Sequence, residues 1–306
     1  MSEVYDVVII GAGPGGLAAG IYTGRGRLNT LILEKGIPGG QILLTDFVEN
    51  YPGFPDGVVP FELMERFRMQ AEKFGAKILQ DEVERIEKKD DLWNVVAGGG
   101  EYQTRTVLVA TGSAHRKLGL KNEGKYLGRG ISYCATCDGA FFKEKDLAVV
   151  GGGDWALTEA LFLTKFCRSL KLIHRRDKFR GEQILQERVF ENEKIEVIWD
   201  SIVTRISGSA TLESLTLRNV KTQETSEINV QGFFISVGLD PNSKFVDGLL
   251  ELNEWREIIV KKNMATSQLG IFAAGDVCDA CPEQMATAVG TAVAAAIGIE
   301  DLLRKY

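Results

Sequence analysis

The chain has 306 residues, of which 44% are hydrophobic and 25% are charged, a composition that is ordinary for a soluble globular protein. The formal net charge of −6 excludes a broad basic surface for nucleic acid, although a local basic cluster can still bind one phosphate. We find no run of about 18 or more apolar residues and expect no membrane partner; residues 286–299, the longest candidate, predict a buried helix.

The first pattern in chain order is an apolar run at residues 7–10, followed by the string GAGPGG and a helical pattern from Leu17. A strand, a glycine turn and a helix open the βαβ unit that cradles a dinucleotide pyrophosphate. Glycines let the backbone approach the phosphates, and the helix N-terminus supplies amides and a partial positive charge. The candidate phosphate-binding residues are Gly11, Gly13 and Gly16.

The same pattern returns at residues 147–156, where an apolar run meets the string GGGDWA before a second helical stretch. Two copies in this context are much stronger evidence than one glycine-rich turn. The strand after each turn ends at Glu34 and His174, both 23 residues after the first glycine of their turn (34 − 11 and 174 − 151). The candidate residues of the second turn are Gly151, Gly153 and Asp154.

The two strand ends differ in chemistry, and the difference predicts which dinucleotide each unit binds. Glu34 can accept hydrogen bonds from the free ribose 2′-OH that FAD or NAD presents. The second strand end is basic and offers donors that suit a 2′-phosphate, so the second unit is predicted to bind NADPH. An exposed basic turn is the alternative interpretation. The basic residues are His174, Arg175, Arg176 and Arg180.

Two further strand ends favour FAD over NAD for the first unit. A strand-like run at residues 106–109 leads into Ala110, Thr111 and Gly112, a pattern found in flavoproteins of this architecture. The string GIFAAGD ends at Asp276, whose carboxylate can hydrogen-bond the ribityl hydroxyls of a flavin. Each feature alone could be a plain strand-end turn.

Five cysteines are present, and four of them form the C-x-x-C pairs Cys134/Cys137 and Cys278/Cys281. Because the sequence opens without a signal peptide pattern, we expect a cytoplasmic protein, in which such pairs are redox-active or metal-binding. Cys134 and Cys137 can close a small disulfide ring, and a helix beginning there would stabilise a thiolate. Asp138 can shuttle the proton that a leaving thiol needs. Half of a zinc site is the alternative.

Several strings together resemble bacterial low-molecular-weight thioredoxin reductases over essentially the whole chain. They are CATCDGAFF, GGGD, HRRDKFR, GGQ at residues 39–41 and ENYPGF at residues 49–54. The resemblance implies an α/β fold with two Rossmann-like, three-layer FAD/NAD(P)-binding domains, the nucleotide domain being inserted in the FAD domain. It places FAD on residues 1–114 and 245–306, and NADPH and the C-x-x-C on residues 115–244. It adds Gly40, Gln41, Asn50 and Gln284 to the candidate cofactor-binding residues.

The resemblance also implies a mechanism. Hydride would pass from NADPH to FAD and then to the Cys134–Cys137 disulfide, which would reduce thioredoxin by thiol–disulfide exchange. Cys137 would lie nearest the flavin, Cys134 would attack the thioredoxin disulfide, and Asp138 would be the acid/base group. The family is homodimeric, and its two domains rotate about hinges that map near residues 113–117 and 238–241. We expect no metal-ligating residues.

Three departures from the family pattern keep alternatives open. Trp155 stands where the family has a small residue, and Glu283 stands where it has an arginine. Both departures motivate an alternative, a dithiol reductase that takes its electrons from ferredoxin or a deazaflavin instead of NADPH. We expect the Trp155 indole to point away from the pyrophosphate. The extra pair Cys278/Cys281 motivates a zinc-binding scaffold that would use all four paired cysteines, with inert buried cysteines as the plainer interpretation.

Overall fold

A computed structural model describes residues 3–44, 47–48, 50–280 and 282–305, without the side chain of Leu44. The α-helices are α1 (Pro14–Arg25), α2 (Pro60–Lys73), α3 (Ala135–Asp138), α4 (Asp154–Leu163), α5 (Gln183–Phe190) and α6 (Met285–Leu303). The strands are β1 (Val4–Ile10), β2 (Thr30–Glu34), β3 (Lys77–Gln80), β4 (Val83–Lys89), β5 (Leu92–Ala97), β6 (Gly100–Val109), β7 (Ser113–His115), β8 (Ile131–Ser132), β9 (Asp146–Gly151), β10 (Ser169–Ile173), β11 (Ile195–Ile198), β12 (Ser201–Ser207), β13 (Ser214–Asn219), β14 (Thr225–Asn229), β15 (Gly232–Ser236), β16 (Leu239–Pro241) and β17 (Ile271–Ala273). Short 3₁₀ turns cover Gly40–Leu44, Glu123–Lys125, Gly139–Phe142 and Lys244–Val246.

The chain divides into two compact units, and the second is inserted in the sequence of the first. The first unit comprises Met1–Leu43, Glu49–Ala114 and Asp240–Tyr306, and the second comprises Leu44–Val48 and His115–Leu239. Both contain parallel strands with helices against the sheet, so the predicted α/β class with two Rossmann-like folds and an insertion is confirmed.

The first unit is built on a sheet in the order β3-β2-β1-β6-β5-β4, with β17 pairing on β6. β1 pairs in parallel with β2 and with β6, whereas β5 pairs antiparallel with β6. Successive residues of β1 point to opposite faces, as the period of two requires. Val7 and Ile9 pack in the cluster that contains α1 and α6, and Val8 and Ile10 pack in the cluster on the other face. An apolar run buried on both faces is typical of a central parallel strand.

Helix α6 closes one face of the first unit. Gln284 and Thr287 form a reciprocal capping box at its N-terminus, which fixes where the helix begins. Ala292, Ala295 and Ile299 are completely buried in the core. Among the described helices, α6 alone is long and apolar enough by length and composition to cross a membrane, and 33% of its most apolar stretch is buried.

The second unit has a fully parallel sheet in the order β11-β10-β9-β15-β8 and an antiparallel sheet β12-β13-β14. On one face Leu147 and Val149 of β9 pack with α4 and α5. On the other face Ala148 and Val150 pack with the antiparallel sheet. The unit is therefore a three-layer domain with its own core, and its parallel strands all point their carboxyl ends to one edge.

Candidate active site

The predicted residues of the first unit lie at the carboxyl edge of its parallel strands. Gly11 follows β1, Glu34 ends β2, Ala110 follows β6 and Ala274 follows β17. The carboxyl edge of a parallel sheet is where nucleotides bind in open α/β folds. The topology thus brings together four segments that lie far apart in the sequence.

The glycine turn after β1 is built for close backbone approach. Gly11 has a φ of +103°, and a Cβ at this position would collide with the carbonyl oxygen of Ala110. A Cβ at Gly16 would collide with the carbonyl of Gly11, whereas Gly13 faces open space apart from Gly40, whose own Cβ would lie 3.0 Å from the Gly13 Cα. Two of the turn glycines are thus required by the fold, and Gly13 leaves room at the start of α1 for a phosphate.

The Glu34 carboxylate lies beside the glycine turn. One oxygen accepts a hydrogen bond from the Ala12 amide at 2.7 Å, and the other accepts one from the Gly36 amide at 2.9 Å. Each carboxylate oxygen has a second lone pair, so both can accept a further bond from ribose hydroxyls. The backbone therefore fixes the carboxylate at the edge where a ribose would lie.

Further predicted residues of the first unit each take part in a hydrogen bond. The Gln41 side chain donates to the Ser113 carbonyl, and Asn50 donates to the Gln284 side chain at 3.3 Å. Thr111 and Asn242 bond reciprocally, each side chain donating to the other's backbone carbonyl at 2.9 Å. Gly112 has a φ of +64°, which suits glycine, and its carbonyl accepts from the Asn242 amide at 2.9 Å.

Asp276 carries the clearest sign of a missing polar partner in the first unit. Its Oδ1 atom is buried and has no hydrogen-bond partner among the described residues. Burial raises the pKa of this carboxyl to about 6. Buried acceptors are nearly always satisfied, so a ligand hydroxyl is the natural partner here, as the ribityl chain of a flavin provides.

Glu283 gives this region a second carboxyl where the family pattern has an arginine. Burial, followed by the negative charges of Asp276 and Glu257, raises the pKa of Glu283 to about 7. The departure seen in the sequence therefore replaces a permanent cation by a carboxyl whose pKa is raised.

The second unit has the same arrangement of strand, glycine turn and helix at the carboxyl edge of its own parallel sheet. Gly151 ends β9 and precedes α4, and a Cβ at Gly151 would collide with Ala156 and with the Ser236 carbonyl. Gly153 is the N-cap of α4 and faces open space. Asp154 accepts a hydrogen bond from the Glu182 amide at 2.6 Å and so holds the loop that precedes α5. The turn leaves the N-terminus of α4 open to a phosphate.

The basic cluster divides into one buried ring and three exposed guanidinium groups. The His174 ring is buried, its Nδ1 lies 2.8 Å from the Gly151 carbonyl, and its Nε2 has no partner among the described residues. Burial lowers the pKa of His174, and it therefore carries less charge at neutral pH than an exposed histidine. The exposed members are Arg175, Arg176 and Arg180.

Trp155 is the second residue of α4, and its side chain is 40% exposed. The indole thus lies on the surface of the second unit near the start of the helix. Whether it turns away from a bound pyrophosphate, as we expect, stays a prediction.

The redox pair lies at the same carboxyl edge as the second glycine turn. Strand β8 pairs with β15 and ends at Ser132, two residues before Cys134. Cys134 and Cys137 form a disulfide, and both residues are half-buried. Cys134 is the N-cap of α3, and its Sγ accepts a hydrogen bond from the Cys137 amide at 3.2 Å. That amide can stabilise negative charge on the sulfur once the disulfide opens.

Asp138 is tied to the cysteines through Ser132. The Ser132 hydroxyl donates to Asp138 Oδ2 at 2.6 Å and accepts from the Cys134 amide at 3.0 Å. One serine thus connects the first cysteine to the predicted acid. Sequence reasoning did not assign a role to Ser132, although the residue lies only two positions before Cys134.

Two buried glutamates also contact the redox segment, residues 132–138, and sequence reasoning missed both. Glu123 accepts from the Tyr133 hydroxyl at 2.5 Å, and Glu159 accepts from the Ala135 amide at 2.8 Å. Glu159 lies on α4 among residues that face the core, and a charge on an apolar helix face was the signal that could have found it.

Comparison with known proteins places this geometry in a family. The model of the pyridine nucleotide-disulphide oxidoreductases matches residues 5–292. The chain belongs to that family.

Among curated relatives, the thioredoxin reductase of Streptomyces coelicolor is 44% identical over 99% of this chain and 95% of its own length. A bifunctional thioredoxin reductase/thioredoxin of Mycobacterium leprae is 41% identical over 99% of this chain and 67% of its own. The crystal structure of thioredoxin reductase from Streptococcus pyogenes is 41% identical, covers 99% of both chains and has a TM-score of 0.92.

These relatives decide between the alternatives left by the sequence. The resemblance to thioredoxin reductases is confirmed, and FAD and NADPH are the cofactors of this family. Two observations show that the chain fits them: the unsatisfied Asp276 carboxyl and the two glycine turns that exclude a Cβ. The comparisons lend no support to another electron donor or to a scaffold without enzymatic activity.

The zinc hypothesis also finds no structural support. Cys134 and Cys137 are bonded to each other, and the described part of the chain contains no group of three or more His, Cys, Asp or Glu arranged for a metal. Cys278 is buried and its Sγ donates to the Gly275 carbonyl at 3.1 Å. Cys281 lies outside the described residues, so the interpretation of Cys278 and Cys281 as inert buried cysteines stays a prediction.

Proposed function

We propose that this chain is a soluble NADPH-dependent thioredoxin reductase whose Cys134–Cys137 pair delivers reducing equivalents to the disulfide of thioredoxin. The observation that carries the proposal is a closed disulfide at the carboxyl edge of a dinucleotide-binding sheet, next to a glycine turn of the same unit. The names of the relatives support it, and in the Mycobacterium leprae relative the two activities share one chain.

The first unit would hold FAD with residues from four strand ends. Gly11, Gly13 and Gly16 would admit the pyrophosphate, and the Glu34 carboxylate would accept from the adenosine ribose. Asp276 would accept from the ribityl chain at its unsatisfied oxygen. The remaining candidates around the flavin are Gly40, Gln41, Asn50, Thr111, Gly112 and Gln284. When bound, FAD supplies the two-electron carrier that a nicotinamide and a disulfide need between them.

The second unit would hold NADPH at its own carboxyl edge. Gly151, Gly153 and the N-terminus of α4 would receive the pyrophosphate. The exposed guanidinium groups of Arg175, Arg176 and Arg180 would bind the 2′-phosphate with charge-assisted hydrogen bonds. The His174 ring, whose Nδ1 lies 2.8 Å from the Gly151 carbonyl oxygen, would hold the second glycine turn in place. Asp154 would keep the loop before α5 in place.

Opening the disulfide takes up two electrons and two protons, and the chain itself provides for the protons and the charge. The amide of Cys137 stabilises a thiolate on Cys134, which would attack the disulfide of thioredoxin. The Ser132 hydroxyl donates to Oδ2 of Asp138 and so orients the carboxyl group, which would hold and donate a proton. Cys137 would face the flavin, so the two sulfurs would have different partners.

We further propose that the protein works in the cytoplasm as a homodimer. The homodimer is what the resemblance to the family implies, and the location is the expectation stated in the sequence analysis. Size-exclusion chromatography with light scattering should give twice the 33.6 kDa mass of the chain.

An anaerobic donor panel tests the function. The flavin absorbance of the purified protein should bleach with NADPH and respond far less to NADH or reduced ferredoxin, after which oxidised thioredoxin should restore the colour. A flavin that stays oxidised with NADPH, or a reduced protein that cannot be reoxidised by thioredoxin, would overturn the proposal. The matched control is the Cys134→Ser/Cys137→Ser variant, which should bleach but not respond to thioredoxin.

A further inference from the structure

Glu159 is a buried carboxyl that no part of the proposed reaction uses. Its side chain is on α4, and the residue is only 5% exposed. None of the ion pairs among the described residues includes it. Both of its oxygens instead accept from neutral donors: the Ala135 amide at 2.8 Å and the Ser236 hydroxyl. Isolated buried carboxyls are costly and persist only where their contacts compensate.

The two groups that donate hydrogen bonds to Glu159 belong to different elements of the second unit. Ala135 is the first residue of α3, completely buried, and directly follows Cys134. Ser236 ends β15 in register with Gly151, the first glycine of the second turn. Glu159 thus connects the redox helix α3 to the helix and strand that form the nucleotide edge of the same unit.

We propose that Glu159 is the positioning residue of the redox pair: through the Ala135 amide it fixes the start of α3, and its charge sets the reactivity of the thiols. The inference rests on the redox role proposed for Cys134 and Cys137. A carboxylate bonded one residue from Cys134 disfavours a thiolate there and so favours the disulfide. The amide of Cys137 acts in the opposite sense, since it donates to the Cys134 sulfur.

Two other carboxyl groups contact the redox segment, and none of the variants proposed below changes them. Asp138 on α3 is bonded to Ser132, and Glu123 is bonded to the Tyr133 hydroxyl. Ser236 on β15 is neutral. Burial raises the pKa of Glu159 to about 7, while the bonds from Ala135 and Ser236 act to lower it.

The test compares Glu159→Gln, Glu159→Ala and Ser236→Ala with the parent and with Glu193→Gln, which removes an exposed carboxyl of the same unit. Each flavin-loaded protein is reduced with dithiothreitol, and the alkylation rates of Cys134 and Cys137 are followed from pH 5 to 9 by peptide mass spectrometry. Glutamine preserves the shape and an acceptor for Ala135 while removing the charge.

In Glu159→Gln the apparent pKa of the more reactive thiol should fall by about one unit, a tenfold rise in thiolate below that pKa. Ser236→Ala removes a hydrogen bond that lowers the pKa of Glu159, so less of this carboxyl is charged, and this variant should show a smaller fall. In a fixed dithiothreitol redox buffer, Glu159→Gln should hold less disulfide than the parent, and Glu159→Ala less still, because α3 loses its anchor. The Glu193→Gln control should match the parent.

Thiol pKa values and disulfide fractions equal to the control in all three variants would overturn the proposal, even if Glu159→Ala melts earlier. Should Glu159→Ala fail to fold, the glutamine and Ser236→Ala variants still decide. No readout uses NADPH or thioredoxin. The inference can therefore fail while the donor panel succeeds, and the reverse.

Discussion

At the scale of single residues, the site depends on where charge is buried and where it is exposed. The guanidinium groups of Arg175, Arg176 and Arg180 are exposed, whereas the carboxyls of Asp276 and Glu159 are not. The exposed guanidinium groups can bind an anionic ligand, whereas burial raises the pKa values of the two carboxyls. The two classes therefore make separate predictions.

Replacing Arg175 and Arg176 together with alanine should weaken binding of 2′,5′-ADP. Each charge-assisted bond contributes about 1.5–3 kcal/mol, so the loss should be at least tenfold. Binding of 5′-AMP, which lacks the 2′-phosphate, should hardly change. Isothermal titration of both ligands checks this, with Arg188→Ala on α5 as the control. Equal losses for the two ligands would assign the arginines to another role.

Glu159 should also make stability depend on pH. Its pKa is about 7 in the folded protein against 4.5 for an exposed glutamate, so its contribution is fully present below pH 4.5 and is lost as the pH rises through 7. The loss is on the order of 3 kcal/mol, since one pKa unit is worth about 1.4 kcal/mol.

Glu159→Gln should remove that part of the pH dependence. Urea unfolding at pH 5 and pH 8 should show a smaller drop in the free energy of unfolding for the variant than for the parent. Parallel curves for the two proteins would mean that Glu159 does not titrate in this range.

At the scale of elements, each glycine turn determines what its helix can bind. The string GAGPGG predicted the first turn because Gly11 and Gly16 have no room for a side chain. The sequence could not place Ser236 beside Glu159, because that contact depends on how β15 pairs with β8 and β9. Local chemistry was therefore predictable, whereas contacts made by strand pairing were not.

Gly11→Ala should cost more than about 1 kcal/mol of stability and abolish flavin retention, because alanine is strained at a φ of +103° and would strike Ala110. Gly290→Ala is the matched control, since a Cβ there meets nothing within 4 Å in the middle of α6. The control should be neutral or stabilising by about 0.5–1 kcal/mol. Thermal melts and flavin fluorescence after gel filtration distinguish the two. A Gly11→Ala protein that keeps its flavin would contradict the assignment of this turn.

At the scale of the whole molecule, the notable feature is that one dinucleotide fold is inserted into another. The repeated offset from Gly11 to Glu34 and from Gly151 to His174 predicted two copies of the unit. Neither periodicity nor motif spacing revealed the insertion, which came from the resemblance to the family. The structure shows that the second unit has separate apolar clusters on both faces of its sheet.

Because of those clusters, residues 115–239 expressed alone should fold and bind 2′,5′-ADP without binding flavin. Circular dichroism and calorimetry would check folding and binding. A fragment that stays unfolded, or that copurifies with flavin, would contradict the division of roles between the units. Residues 1–114 cannot serve as the reciprocal fragment, because β17 and α6 complete the first unit from the other end of the chain.

The central claim is that electrons leave this protein through the Cys134–Cys137 pair, and a single-turnover experiment tests it most directly. The protein is reduced with one equivalent of NADPH without oxygen and mixed with oxidised thioredoxin, and new thioredoxin thiols are counted. The parent should yield about two thiols per reduced protein, as a two-electron transfer requires, and Cys134→Ser should yield none although its flavin bleaches. Equal thiol yields from both proteins would contradict the account.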